Sequence, residues 1–188
     1  MSLHRRSFAL FLAAAIISPV LASCGGGDSA TPGSDSVAGS DSSVATAPAN
    51  LYPLTGLPVD DPAKAARPAL VAKIDNHPDA RPQSGLNKTD IVIEENVEGL
   101  TRFAAVFHSD GSDPVGPLRS GRTQDKIFLG SYNKPLFMWS GGNYRVTHVI
   151  NNSDLVNIGY SASHGKGGYY REKTRHIPHN LYASTTKG

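Results

Sequence analysis

The chain is poor in the residues that would point directly to a common chemistry. It has one cysteine, Cys24, in 188 residues, which excludes an internal disulfide framework and a metal site built of several thiolates. Asp and Glu number 16 against 18 Lys and Arg, so the formal net charge is only +2. No block of basic residues is present, and a nucleic-acid partner is therefore not predicted.

The chain also lacks an apolar run long enough to cross a membrane. The run at 8–20 covers about a dozen residues, whereas a spanning helix needs ~20. Arg5 and Arg6 precede it and small residues follow it, which is the pattern of a secretory signal. Residues 21–24 read Leu-Ala-Ser-Cys, the pattern of a lipobox, in which Cys24 takes a diacylglycerol and the signal is cut off before it. The alternative is an ordinary signal peptide with an incidental cysteine.

These features predict three segments. Residues 1–23 are a signal peptide, residues 24–50 hold the lipidated cysteine and a flexible linker, and residues 51–188 form one globular domain. The linker is rich in Gly, Ser, Ala and Asp, so it cannot bury enough apolar surface to fold. Two or three acyl chains, including palmitate, would hold the protein on the extracytoplasmic face of the cell membrane.

The pattern of the domain predicts an α+β fold, with a mixed or antiparallel sheet and flanking helices. Short apolar runs indicate strands at 68–75, 90–97, 101–108 and 135–139, with the second and third joined as a hairpin by Glu98 and Gly99. Ser120 is a candidate N-cap for a helix reaching Tyr132, and a second helix is predicted at 144–151. No internal repeat is visible.

Three clusters contain candidate binding residues. In the first, Asp75 ends a strand and Arg81 follows in a loop, although Asp and Asn in such a turn often bond only their own backbone. In the second, Arg119 and Arg122 flank Gly121 before a helix, and such an arrangement suits phosphate or carboxylate recognition. The alternative is that these two arginines pair internally, with Asp125 or with Glu94 and Glu95. The glycine spacing matches neither a Walker loop nor a dinucleotide-binding loop.

A third cluster, at 175–180, reads Arg-His-Ile-Pro-His-Asn. His176 and His179 alone do not make a metal site, so we predict no metal and no cofactor. Polar loop contacts, or support for the arginines by His179 and Asn180, explain the cluster better. No serine lies in a G-x-S-x-G elbow, so a serine hydrolase is not indicated.

Eight ordered blocks together resemble the YerB-like lipoproteins, domain of unknown function 3048. They are the residues at 50–58, 74–76, 80–86, 89–92, 97–99, 101–103, 115–122 and 178–182. The resemblance implies an extracytoplasmic lipoprotein with an N-terminal and a C-terminal subdomain. Because the chain ends just after the last block, we expect it to be a fragment that contains the first subdomain. The resemblance carries no established reaction, and it marks Asp75, Arg81, Arg102, Arg119, Arg122 and His179 only as motif residues.

Three functions fit these residues. The first is a membrane-tethered envelope protein that binds an anionic, phosphate-bearing ligand or a protein partner without catalysis, with Arg102, Arg119 and Arg122 holding the anion and Asp75 and Glu94 orienting them. The second is an enzyme acting on lipid-linked phosphate or pyrophosphate in cell-wall glycopolymer assembly, since the order of hairpin and arginines distantly resembles the LytR-CpsA-Psr ligases. The third is a non-catalytic scaffold whose loops brace the expected C-terminal subdomain, with the arginines buried in salt bridges.

Overall fold

A computed structural model describes residues 50–187. The predicted signal peptide, Cys24 and almost all of the linker lie outside the described residues. Within 50–187 the strands are β1 Leu70–Asp75, β2 Ile91–Val97, β3 Leu100–Phe107, β4 Leu136–Met138, β5 Val156–Asn157, β6 Tyr170–Arg171 and β7 Leu181–Tyr182. The helices are α1 Pro62–Ala66, α2 Asp125–Leu129 and α3 Tyr144–Asn151, with 3₁₀ turns at Pro78–Ala80, Leu86–Lys88 and Gly130–Tyr132. None of the helices described is long and apolar enough to pass through a bilayer.

The strands form a mixed sheet, which confirms the predicted α+β class. Its order is β2-β3-β1-β4-β5. The pairs β2–β3 and β3–β1 are antiparallel, whereas β1–β4 and β4–β5 are parallel. The predicted hairpin joins β2 to β3 through Glu98 (φ 55°) and Gly99 (φ 85°), two positive φ angles that suit the right-handed twist of the strands. Strands β6 and β7 form a separate antiparallel ribbon.

Both faces of the sheet are covered. On one face, Val71 and Phe137 pack with Ile150 of α3 in a cluster that also contains Leu129 of α2. The opposite face packs against irregular chain around Leu118 and against the ribbon strand β7; its members include Ala72, Ile74, Phe107, Leu118 and Leu181. A sheet that is buried on both sides explains why β1 reads as a nearly continuous apolar run.

The helix predicted from Ser120 is wrong at its start. Segment 119–121 is held instead by backbone bonds to its neighbours: Arg119 N–H donates to Lys73 O (2.8 Å) and Gly121 N–H to Gly141 O (3.1 Å). A chain pinned in this way cannot coil, so α2 begins only at Asp125, whose carboxylate accepts the Arg122 N–H at 2.7 Å. The helix at 144–151 is confirmed, with Asn143 as its N-cap.

The interior contains a lysine between two carboxylates. Lys73 on β1 is fully buried and pairs with Glu95 on β2 and, at 2.6 Å, with Asp125 at the start of α2. Its ammonium also lies 5.8 Å from the centre of the Phe128 ring. Removing one member of such a group leaves an uncompensated buried charge, which is far more costly than losing a surface pair. The Lys73 contacts therefore fix α2 against the sheet.

Lys73→Met is expected to lower the free energy of unfolding by about 3–5 kcal/mol, because Glu95 and Asp125 would lose their shared cation. Urea denaturation of the purified variant measures this change. Lys126→Met is the matched control, since Lys126 is exposed on α2 beside Asp125 and its substitution should change stability by no more than about 0.5 kcal/mol. Equal effects of the two substitutions would contradict a special role for Lys73.

The same group makes stability depend on pH through Glu95. Burial raises the pKa of the Glu95 carboxyl above its ordinary value of 4.5, and the nearby Asp125 carboxylate raises it further, against the opposing effect of Lys73. Between 4.5 and the raised pKa the folded chain therefore holds a proton that the unfolded chain has lost. Linkage then makes this contribution to stability fall as the pH rises through that window.

Glu95→Gln removes this titration. The stability of the unsubstituted chain relative to Glu95→Gln is expected to fall as the pH rises from 4.5 toward neutrality, because only the former must hold a buried carboxylate in its charged form. Urea unfolding of both proteins at several pH values across that range checks the sign. A difference that stays constant with pH would show that Glu95 does not titrate differently in the two states.

Candidate functional site

The buried carboxylate of Asp75, at the carboxyl end of β1, holds the candidate site together. Its side chain is only 4% exposed. Its Oδ2 accepts a bond from His179 Nδ1 at 2.7 Å and lies 3.0 Å from Arg119 Nε. Its Oδ1 accepts the backbone N–H of His77 at 3.1 Å. The structure thus brings together Asp75, Arg119 and His179, three of the residues that the sequence nominates.

Arg119 has its backbone fixed while most of its guanidinium stays free. Its N–H donates to Lys73 O, and its carbonyl accepts the Ser140 N–H at 3.0 Å. Nε is buried and has no hydrogen-bond partner among residues 50–187, so its contact with Asp75 is an ion pair without hydrogen-bond alignment. The two Nη groups make no ion pair within that same range, and the side chain is 24% exposed. Arg119 therefore presents donors to solvent from a rigid base.

Arg102 lies deeper and is already engaged. It sits directly opposite Asp75 on β1 and opposite Glu95 on β2. Its Nη1 donates to Ser120 O at 2.6 Å. Burial lowers the pKa of the Arg102 guanidinium, and the positive charges of Arg122 and Arg119 lower it further. Arg102 therefore acts within the fold, as a brace for the segment that carries Arg119.

Arg122 is also paired internally. Its Nη2 donates to Glu98 Oε2 at 2.9 Å and its Nη1 to Gly121 O at 3.1 Å. Its side chain is 23% exposed, whereas that of Glu98 is 77% exposed. An ion pair open to water on one side contributes little to stability, so a stronger anion could compete with Glu98 for this guanidinium.

The remaining nominated residues lie around this centre. Glu94 is exposed and accepts from Thr101 Oγ1 (2.7 Å) and Asn76 Nδ2 (3.3 Å), rather than from an arginine. Arg81 donates to the side-chain oxygen of Asn76 at 3.1 Å. Asn180 is buried and accepts from Arg171 Nη1 at 2.7 Å.

An open cleft of about 460 Å³ borders His179. It is lined by Asp79, Arg81, Thr174, Arg175, His176 and His179. Arg175 is fixed there by a bond from Nη2 to Pro82 O at 2.9 Å, while its buried Nη1 has no partner among residues 50–187. With two arginines against one aspartate the cleft is cationic, and an anion would gain from both guanidiniums.

Sequence reasoning missed Lys73, His77, Asp79 and the role of Arg175. Lys73 could have been found, because a lone lysine within the apolar run of a buried strand requires a buried partner. His77 lies two residues beyond Asp75, but nothing in the sequence shows that it meets His179. Their rings stack with centroids 4.5 Å apart and planes at 20°, a contact between residues that are far apart in the sequence.

The fold and the cluster define the class of protein: an α+β domain with a mixed sheet and an arginine–histidine cluster at one strand end. Residues 54–187 match the family described as "Protein of unknown function (DUF3048) N-terminal domain". The chain belongs to this family, as its resemblance to the YerB-like proteins predicts.

YerB of Bacillus subtilis agrees with this assignment both in sequence and in structure. The Bacillus subtilis protein named "Putative lipoprotein YerB" is 54% identical over 71 residues, which are 37% of this chain and 21% of the relative. The crystal structure of YerB from Bacillus subtilis superposes with a TM-score of 0.66 at 33% identity. That match covers 73% of this chain and 47% of the YerB chain, so this chain spans about half the length of its structural relative.

Proposed function

We propose that this chain is a lipid-anchored protein on the extracytoplasmic face of the cell membrane that binds an anionic, phosphate-bearing ligand without catalysis. The anchor is supported by the lipobox at 21–24 and by the lipoprotein name of the Bacillus relative. The family is described as one of unknown function, so the ligand is inferred from the site alone.

The observation that carries the binding proposal is the state of Arg119. One edge of its guanidinium faces Asp75, and its Nη groups remain available on a side chain that is 24% exposed. A planar guanidinium held by its Nε can offer two parallel N–H donors to a phosphate or carboxylate. Because the Arg119 backbone is already fixed, little ordering entropy is lost when an anion binds.

The scaffold alternative explains the other two arginines better than it explains Arg119. Arg102 donates to Ser120 O, and Arg122 pairs with Glu98, as internal bracing requires. Neither contact uses Arg119. We therefore assign Arg119 as the principal contact for the anion, with Arg122 second to it because Arg122 must first leave an exposed glutamate.

Binding without chemistry is favoured over the enzyme alternative by the surroundings of Asp75. This carboxylate is buried, ion-paired with Arg119 and bonded to His179, so it is not free to act as a general base beside the arginines. A hydrolase acting on prenyl pyrophosphate would cleave the phosphoanhydride with water and release inorganic phosphate, so assaying for phosphate in the prenyl pyrophosphate titration described below tests that form of the enzyme alternative.

The anchor is tested at Cys24. When the full gene is expressed in a bacterium, the chain should incorporate radiolabelled palmitate, and its mature mass should correspond to loss of residues 1–23 plus lipid. Cys24→Ala should abolish both, because the Cys24 sulfur is the atom that carries the diacylglycerol. Ser29→Ala, in the linker just beyond the lipobox, is the control and should keep the label. An unlabelled wild-type chain would contradict the anchor.

Anion binding is tested by thermal denaturation of the purified full chain in detergent, stripped of metal by chelation and dialysis. Prenyl pyrophosphate, inorganic pyrophosphate and inorganic phosphate are titrated separately, which distinguishes a lipid-borne headgroup from a free anion. Ligand at about 100 times its dissociation constant should stabilise the chain by about 2.7 kcal/mol. Arg119→Gln should abolish the shift because it removes the free guanidinium.

Arg145→Gln is the matched control, since Arg145 is exposed on α3 and its loss changes the net charge equally. It should keep the ligand-induced shift. Absence of a shift in every protein, together with strong destabilisation by Arg119→Gln alone, would favour the scaffold alternative over ligand binding.

A further inference from the structure

Two histidines and an aspartate meet next to the Asp75 carboxylate. One ligand atom each from His77, Asp79 and His179 can be chosen so that all three lie within 4.8 Å of one another. The distance from His77 Nδ1 to Asp79 Oδ2 is 3.5 Å. The 3.5 Å separation suits two ligands of one ion at bond lengths of about 2.0–2.2 Å. The exposed edge of the His77 ring, which stacks on His179 with planes at 20°, must turn for both imidazoles to reach the same ion.

His179 is oriented in the manner of a metal ligand. Its Nδ1 bonds to Asp75 Oδ2 at 2.7 Å, and because a carboxylate only accepts, Nδ1 carries the proton. In the neutral ring this leaves the lone pair on Nε2. Histidines that bind metals usually donate their other N–H to a carboxylate or a carbonyl, which fixes the tautomer and raises the basicity of the ligand. Asp75 supplies that carboxylate here.

His77 and Asp79 belong to one short turn that follows β1. His77 caps the turn Pro78–Ala80 by accepting the Asp79 N–H at Nδ1, at 3.2 Å. This is a long hydrogen bond, which a metal ion at Nδ1 would replace. The Asp79 carboxylate is 73% exposed and the His77 side chain 32%, so both reach a site that opens to solvent.

We propose that His77, Asp79 and His179 bind a divalent transition-metal ion, of which Zn²⁺ is the representative, with Asp75 positioning His179. Two imidazoles and one carboxylate are the donor set of open zinc sites, which keep a further position for water or substrate. Mg²⁺ and Ca²⁺ prefer all-oxygen sites and should not bind here. This proposal does not require Arg119 to bind an anion.

The surroundings indicate what would occupy the open position. Arg81, Arg175 and His176 line the same cleft as Asp79 and His179. The charge of nearby Arg119 is compensated by the Asp75 carboxylate at 3.0 Å, and Asp79 supplies a second carboxylate within the cleft. A metal ion bordered by the two cleft arginines is suited to an oxyanion as its additional ligand.

Isothermal titration of the untagged, chelator-stripped full chain with ZnCl₂, in detergent, tests the site. One Zn²⁺ should bind per chain, and MgCl₂ should produce no heat of binding. Asp79→Asn and His77→Ala should each weaken Zn²⁺ binding by more than roughly tenfold because each removes a donor. Asp75→Asn should weaken it by roughly 10–100-fold through His179. Because Asp79 is exposed, Asp79→Asn tests the site without disturbing the core.

His176→Ala is the matched control, because it removes a histidine that lines the same cleft but is not one of the three proposed ligands. This variant should bind Zn²⁺ with unchanged affinity. No Zn²⁺ binding by the unsubstituted chain, or equal affinity in Asp79→Asn and His176→Ala, would overturn the proposal. Arg119→Gln should still bind one Zn²⁺ per chain, and metal-free Asp79→Asn should retain the pyrophosphate shift, so failure of this site and failure of the proposed function are separate results.

Discussion

The candidate site depends on a single buried carboxylate. Asp75 is the last residue of β1, and its two oxygens fix the backbone of His77, the ring of His179 and the guanidinium of Arg119. These groups come from three separate stretches of the chain. A carboxylate this deeply buried is tolerated only when its charge is compensated and its oxygens accept bonds. The requirement of Asp75 for partners is therefore the constraint that assembles the cluster.

A second buried charge on β1, that of Lys73, also gathers partners from separate parts of the chain. Lys73 and Asp75 are two residues apart on this strand, and so their side chains leave the same face of the sheet. Lys73 pairs with Glu95 and the start of α2, whereas Asp75 pairs with the loop of Arg119 and the C-terminal segment of His179. Arg102 lies between these groups, opposite both Asp75 and Glu95. The polar end of β1 thus acts as one electrostatic unit, in which internal pairing leaves Arg119 as the arginine of the loop with free donors.

Local patterns predict β1 to β4 well because each of these strands carries its own signal, whereas the two-residue strands β5, β6 and β7 carry none and are not predicted. The apolar run of β1, the Glu98–Gly99 turn and the Asn143 cap all lie within a few residues of the elements that they define. The start of α2 could not be predicted in this way. Ser120 is a good local N-cap, but its neighbours Arg119 and Gly121 are bonded to Lys73 on β1 and to Gly141, both distant in the sequence. The site behaves similarly: Asp75, Arg119 and His179 stand out by residue type, but the contact of His77 with His179 exists only in three dimensions. Lys73 is the instructive failure, because a charged residue in a buried strand is itself a sign of a hidden partner.

Both proposed binding events act on Asp75, and together the two proposals therefore imply thermodynamic coupling between metal and anion. Asp75 Oδ2 is contacted by both Arg119 Nε and His179 Nδ1. A cation on His179 Nε2 makes Nδ1 a stronger donor and draws negative charge from Asp75 toward the histidine, which leaves Arg119 less well neutralised. A less neutralised guanidinium attracts an anion more strongly, so metal and anion should favour one another. By linkage the coupling is reciprocal, and each ligand raises the affinity of the other by the same factor. An arrangement of this kind would bind phosphate-bearing groups most tightly when they arrive together with a divalent ion.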